Sequence, residues 1–324
     1  MDDFTENWVD LAQPRLGSEV VYATDDFFAD KARLIDPAEP VFIPGKYDED
    51  GKWMDGWESR RRRDAGHDHC VVRLGNPGFV HGIVIDTSHF TGNYPPAASI
   101  DWCRSTEHIP SAKTKWLPLL GATALKGDDR LVLPLATAEA VTHLRLNIFP
   151  DGGVARLRVY GQVARKWKAG ERADLAAMEN GALPVAANDE HFGRVSNMLA
   201  PGKARDMGDG WETRRRREPG HDWAIVALAR PGRLDEIVVE TTHFKGNYPD
   251  RCFIQAAGPS DLPRDSLIAQ SLYWPVLLPE QKLSANSDHH FKAQIVKHEP
   301  VKFVRLNIVP DGGVARLRLW GRAV

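Results

Sequence analysis

RLNIFPDGGVARLR, from Arg145 to Arg158, returns as RLNIVPDGGVARLR from Arg305 to Arg318, with one of fourteen positions changed. A repeat that literal makes the chain two copies of one unit and supplies the register for aligning the rest. Leu144, Leu146 and Ile148 alternate with Arg145 and Asn147. Pro150, Asp151, Gly152 and Gly153 then turn the chain, and Ala155, Leu157 and Val159 alternate with Arg156 and Arg158. Period-two alternation on both sides of a turn predicts a β-hairpin with one apolar face. On that reading Arg145, Arg156 and Arg158 stand on the opposite face, a solvated or subunit-facing surface, and Asp151 and Asp311 serve turn geometry.

The 324 residues suffice for about two domains, and 42% apolar with 27% charged residues give each half material for a core. A formal charge of −2 supplies no global field toward nucleic acid or an anionic membrane. The acidic start MDDFTENW is unlike a secretory signal, and no apolar run approaches the roughly 18 residues of a membrane span. The expected location is the cytoplasm. Cys70, Cys103 and Cys252 align with alanines in the other copy, which favours reduced, mostly buried thiols.

Working outward, Asp10, Leu11, Ala12 and Gly17 match Asp174, Leu175, Ala176 and Gly181 at an offset of 164. Asp174 to Asn180 reads as a short helix stopped at Gly181. The polar, basic segment RKWKAGER suits a linker over 165–172, which sets the first repeat at 1–164 and the second at 173–324. The first copy spends Asp36 to Gly56 where the second needs Ala200 to Gly210, a surface excursion. Then come WESRRRRDAGHD and WETRRRREPGHD, strands CVVRL and GIVIDTSHF with their partners AIVAL and EIVVETTHF, and tight loops ending in GNYP. A further six residues enter the second copy between Pro249 and Arg305. Short strands with regular turns predict an all-β sandwich for each repeat.

Chemistry concentrates in the duplicated loops. In an extended run Arg60 and Arg62 point one way and Arg61 and Arg63 the other, so one pair is free for a carboxylate while the other meets carboxylates of the protein. The same holds for Arg214 to Arg217. His67 with Asp68 and His221 with Asp222 are titratable pairs before a strand; the bland reading is a loop hydrogen bond, the sharp one proton exchange. His89 and Asn93, with His243 and Asn247, occupy the next loop. His67, Asp68 and His89 offer themselves to a divalent metal, but without HExxH or paired CxxC spacing; no metal or other cofactor is predicted. Neither a GxSxG elbow nor a phosphate-cradling glycine loop is present.

Together DGWESRRRR with GHD, IDTSHFTGNYP and RLNIFPDGGVARLR, all duplicated, resemble the allantoicase family over nearly the whole chain. The resemblance implies two tandem jelly-roll β-sandwiches, similar to galactose-binding and discoidin-like domains, with little helix. It also implies hydrolysis of allantoate to ureidoglycolate and urea in purine breakdown, and a homo-oligomer. Allantoate carries one carboxylate and two ureido groups, so its site needs a guanidinium and acceptors for ureido N–H groups. Glu58, His67 and His89, with Glu212, His221 and His243, are the candidates for proton transfer. Arg61 and Arg63, with Arg215 and Arg217, are assigned to the carboxylate, and Asn93 and Asn247 to substrate binding. The competing class is a non-enzymatic jelly-roll module for a small anionic or sugar ligand, with Trp57, Tyr94, Trp211 and Tyr248 as platforms.

Overall fold

The computed structural model describes residues 4–260 and 263–324. The chain divides into two compact units, residues 1–164 and 165–324. The first contains β1 (Val9–Asp10), β2 (Glu19–Ala23), β3 (Tyr47–Asp48), β4 (Gly51–Lys52), β5 (Trp57–Glu58), β6 (Asp68–Asp86), β7 (Ala97–Cys103), β8 (Leu117–Ala124), β9 (Arg130–Pro134), β10 (Val141–Phe149), β11 (Gly153–Val154) and β12 (Arg156–Val163). The second contains β13 (Arg172–Asp174), β14 (Leu183–Ala187), β15 (Trp211–Glu212), β16 (Asp222–Glu240), β17 (Arg251–Ala257), β18 (Val276–Lys282), β19 (Asp288–Phe291), β20 (Val301–Val309), β21 (Gly313–Val314) and β22 (Arg316–Ala323). The basic segment 165–172 is partly ordered into this unit, since Arg165 pairs with Glu171, Ala323 N–H donates to the Glu171 carbonyl and Arg172 lies opposite Arg322 in the β13–β22 ladder.

Each unit is a jelly-roll β-sandwich built on one long bent strand. The segments CVVRL and GIVID, expected as two strands, are the halves of β6. Its first half pairs with β10 and β2, and its second half with β12 and β9. Pro77 and Gly78 lie where it passes from one layer to the other, and no residue from 74 to 77 is paired with β10 or β12. Strand β16 repeats the arrangement with β20, β14, β22 and β19. The alternating Leu144, Leu146 and Ile148 of β10 and Leu157 and Val159 of β12 are wholly buried, as period-two burial requires.

This topology corrects the hairpin. Strands β10 and β12 do not pair with each other: β10 lies between β6 and β7, and β12 between β6 and β1. PDGG is therefore an arch between the two layers. Its shape needs both glycines. Gly152 has φ +137°, and a Cβ on Gly153 would lie 2.0 Å from the Phe90 ring. A short strand leaves the arch, β11, and pairs with β5 through Gly153 and Glu58.

The strand arginines are also corrected. Arg156 and Arg316 are each 1% exposed, because the loop excursion of each copy covers them. Arg156 donates to the carbonyls of Ala38, Asp55 and Ala155 and to Asp55 Oδ2, while Arg158 holds the carbonyls of Asp36, Pro37 and Ala38. Arg316 reaches the carbonyls of Gly202, Asn197 and Asp209 and the Asp209 carboxylate, and Arg318 those of Ala200 and Gly202. Alternation places them opposite the sandwich interior, as expected. Loops of low regularity, whose carbonyls lack ladder partners, then need donors there. The expected helix at Asp174 to Asn180 is only a 3-10 turn, Met178–Asn180, closed by left-handed Gly181. In the second copy α3 (Arg264–Ser271), following α1 (Phe4–Asn7) and α2 (Val195–Met198), lies between β17 and β18, so part of that copy's insertion falls here. The three cysteines are buried and unpaired.

Candidate functional site

The arch and the arginine run form one framework at the same end of each sandwich. Ser59 donates its N–H to the Gly152 carbonyl, and Arg62 N–H donates to Asp151 Oδ2 at 2.9 Å. Thr213 and Gly312, and Arg216 N–H and Asp311 Oδ2 at 2.8 Å, repeat these contacts. Asp151 and Asp311 therefore cap the arginine segment as well as forming the turn. That pairing was not legible in the sequence, since it joins residues 89 positions apart.

The four arginines divide by parity. Arg60 bonds Asp25 through Nε at 2.7 Å, and Arg62 bonds the buried Asp68 through Nη1 at 2.6 Å and Asp64 through Nε. In the second copy Arg214 pairs with Asp189 and Arg216 with Asp222. Burial pushes the Asp25 and Asp189 carboxyls up, but the bonds from Arg60 and from Arg214 and its backbone outweigh it and hold both below their ordinary value. Arg61, Arg63, Arg215 and Arg217 are exposed and carry no carboxylate partner among the described residues. A cleft of about 390 Å³ in the second unit is lined by residues 214–217 together with Asn188, Asp189, Glu218 and Asp222. That volume lies in the small-molecule range.

Glu58 sits on β5 and accepts from Asn93 Nδ2 at 2.7 Å; Glu212 accepts from Asn247 Nδ2 at 2.5 Å. Asn93 is placed by its own carbonyl, which receives the Gly153 N–H at 2.7 Å. Burial raises the Glu58 pKa, and the Asn93 bond only partly offsets it. Glu58 is thus a carboxyl suited to carry a proton closer to neutrality than an exposed one.

The histidines separate. His67 leans on Phe149, with ring centroids 4.7 Å apart, and its Nε2 is 3.3 Å from Asn147 Oδ1. His221 stands 3.0 Å from Asn307 Oδ1 in the same way. His89 and His243 have φ of 70° and 71° and spend Nε2 on loop carbonyls, Pro40 at 3.2 Å and Ala204 at 2.9 Å. The structure brings Glu58 with Asn93, and His67 with the Arg62–Asp68 pair, whose guanidinium also reaches the His67 carbonyl. It does not bring the His89 ring to either group. Asn147, Asn307, Asp25 and Asp189 contact the candidate residues, although no sequence motif marks them. The matching of Asp25 with Asp189, beside an equally duplicated arginine run, was the available signal. Among the described residues no group of three or more His, Cys, Asp or Glu side chains is placed to hold a metal ion.

The allantoicase repeat model matches residues 9–164 and again 173–324. A probable allantoicase of Burkholderia pseudomallei is 58% identical over 321 residues, covering 98% of this chain and 96% of the relative. One from Ralstonia nicotianae is 55% identical over 322 residues, covering 98% and 96%. The crystal structure of allantoicase from Saccharomyces cerevisiae superposes with a TM-score of 0.84 at 34% identity, covering 98% of this chain and 94% of that one. Both repeats, their order and their fold are matched, and the chain belongs to the allantoicase family.

Proposed function

We propose that this protein is an allantoicase, a hydrolase that adds water to allantoate and releases ureidoglycolate and urea. The observation that carries this reading is the near-complete alignment at 58% identity with a probable allantoicase, together with a site duplicated residue for residue. Allantoate is an anion with two ureido groups on one carbon. Arg61 and Arg63, or Arg215 and Arg217, receive its carboxylate, because their neighbours Arg60 and Arg62 already neutralise Asp25 and Asp68 and leave these guanidinium groups unpaired. The amide oxygens of Asn93 and Asn247, whose Nδ2 atoms are spent on glutamates, accept from a ureido N–H.

In the reaction a proton is delivered to the departing ureido nitrogen and the C–N bond breaks. The lone pair of the remaining ureido nitrogen stabilises the cationic carbon, and water adds there after losing a proton to a base. Glu58 and His67, with Glu212 and His221, are assigned these transfers. The rings of His89 and His243 are assigned instead to holding the loop excursions, since their Nε2 atoms meet loop carbonyls. Retention of every one of these residues in both copies supports two sites per chain.

The decisive experiment incubates purified protein with allantoate and measures urea, with EDTA and with added Mn²⁺ or Zn²⁺ in parallel arms. Absence of urea above the blank in every arm, from folded protein, refutes the reading. A cytoplasmic homo-oligomer without a nucleic-acid or membrane partner completes the proposal. It is supported by three unpaired thiols, a formal charge of −2, and exposed Val41, Phe42, Ile43, Tyr47 and Tyr273. Light scattering of the purified protein tests the assembly.

A further inference from the structure

We infer that Asn147 and Asn307 are positioning residues that set His67 and His221 in the Nε2–H tautomer, so that the proton used in turnover enters and leaves at Nδ1. Its catalytic meaning rests on the proposed acid–base role of these histidines; the tautomer itself does not.

An amide side chain presents one acceptor and one donor end, and its orientation is decided by partners that have only one role. In the first repeat, Asn147 Nδ2 lies 2.9 Å from Asp101 Oδ2 and 3.0 Å from Ser99 Oγ. Asp101 is ion-paired with Arg145 at 2.8 Å and therefore offers only acceptors. The NH₂ end of Asn147 must face it, which turns Oδ1 toward His67 Nε2.

In the second repeat the partners are different. Gln255 stands where Asp101 does, and Phe253 where Ser99 does. Here Arg305 Nε donates to Asn307 Oδ1 at 2.9 Å, and a guanidinium has no acceptor. The Asn307 NH₂ end meets Gln255 Oε1 at 3.2 Å, and Gln255 is itself oriented because its Nε2 donates to the carbonyls of Leu272 and Trp274. Oδ1 again faces the imidazole, at 3.0 Å.

Two unrelated sets of partners thus impose the same outcome. An amide oxygen cannot donate, so the ring nitrogen opposite it must. The neutral ring then keeps its lone pair on Nδ1, which has no protein partner among the described residues in either copy. On protonation Nε2 still donates to the same oxygen, so the ring gains or loses a proton at Nδ1 without turning. Asn147 is 4% exposed and Asn307 is fully buried, which keeps water from replacing either.

The test is long-range ¹H–¹⁵N NMR of the full-length protein labelled at histidine, at a pH where the rings are neutral, with His67→Gln and His221→Gln used for assignment. A pyrrole-type Nε2 and a pyridine-type Nδ1 in the wild-type protein are expected at both rings. A dominant Nδ1–H form at either ring overturns the inference, whatever the variants do. Asn147→Leu removes the acceptor and should yield a mixture. An unchanged Nε2–H ring in a folded Asn147→Leu protein also overturns it. Urea release measured on Asn147→Leu/Asn307→Leu addresses the separate acid–base reading: kcat should fall about tenfold or more with KM little changed. A shifted tautomer with undiminished kcat would uphold the positioning role and remove His67 and His221 from the chemistry.

Discussion

Replacing Arg156 with methionine tests most directly how the arch, the loop excursion and Glu58 depend on one another. The side chain is 1% exposed and makes four bonds: 2.9 Å to the Ala38 carbonyl, 3.0 Å to the Asp55 carbonyl, 2.7 Å to the Ala155 carbonyl and 2.8 Å to Asp55 Oδ2. Methionine fills much of the volume but donates nothing. The Asp55 carboxylate, itself largely covered, loses its charged partner, and removing one member of a buried pair costs about 3–5 kcal/mol. For a unit of this size that corresponds to a fall in Tm of roughly 6–20 °C. Arg145→Met is the control, because Arg145 is 29% exposed and its pair with Asp101 sits in water's reach, where loss costs about 1 kcal/mol. Hydrogen exchange of the full chain is the assay of choice, since it reads the two units separately. Protection should collapse over residues 36–58 in Arg156→Met and survive over residues 200–212. Asp55 stands three residues before Glu58, so urea release should fall with it. Equal stability of Arg156→Met and Arg145→Met would refute the claim that β12 arginines are buried staples.

Four further outcomes are expected. Arg61→Ala with Arg215→Ala should raise KM for allantoate about tenfold or more at nearly unchanged Tm, because neither guanidinium has a protein partner to lose; a Tm loss without a KM change contradicts the assignment. Glu58→Gln and Glu212→Gln should each remove about half of kcat and the double variant nearly all of it. Full loss from one single variant would show that one repeat carries the chemistry. Because burial raises the Glu58 pKa, the pH–rate profile should show an ionisation above the usual glutamate range that is lost in Glu58→Gln, which keeps the second repeat's share of kcat; a profile unchanged by that substitution excludes this carboxyl. Asp25 and Asp189 are held below their ordinary value when folded, so each contributes stability above its unfolded pKa that is lost as pH falls through the folded one. Asp25→Asn/Asp189→Asn should accordingly flatten the acid limb of the stability curve, and an acid limb as steep as the wild type would argue against these pairs.

Much of this molecule was legible along the chain. Two copies, strands in place of helices, the insertion in the first loop, and the alternation of paired and free arginines all follow from local periodicity and self-similarity, which need no knowledge of distant neighbours. Parity within RRRR worked because an extended backbone sends successive side chains to opposite sides, and the carboxylates for one parity, Asp25, Asp64 and Asp68, are close by in sequence or fold.

What the tertiary structure alone decided is which strands meet and what covers them. PDGG between two alternating runs describes a hairpin and an inter-layer arch equally well, because both need a turn with φ above zero, and only the pairing of both runs with opposite halves of β6 tells them apart. Alternation correctly set Arg156 and Arg316 opposite the sandwich interior, yet a second layer of loop made that face an interior too. His89 and His67 are alike as residue types, and the fold gives their Nε2 atoms different partners, the Pro40 carbonyl and the Asn147 amide oxygen. The amides of Asn147 and Asn307 gained meaning from Asp101 on one side and Arg305 on the other. In each case the deciding partner lies far along the chain, and sequence records what a side chain offers but not which distant group accepts it.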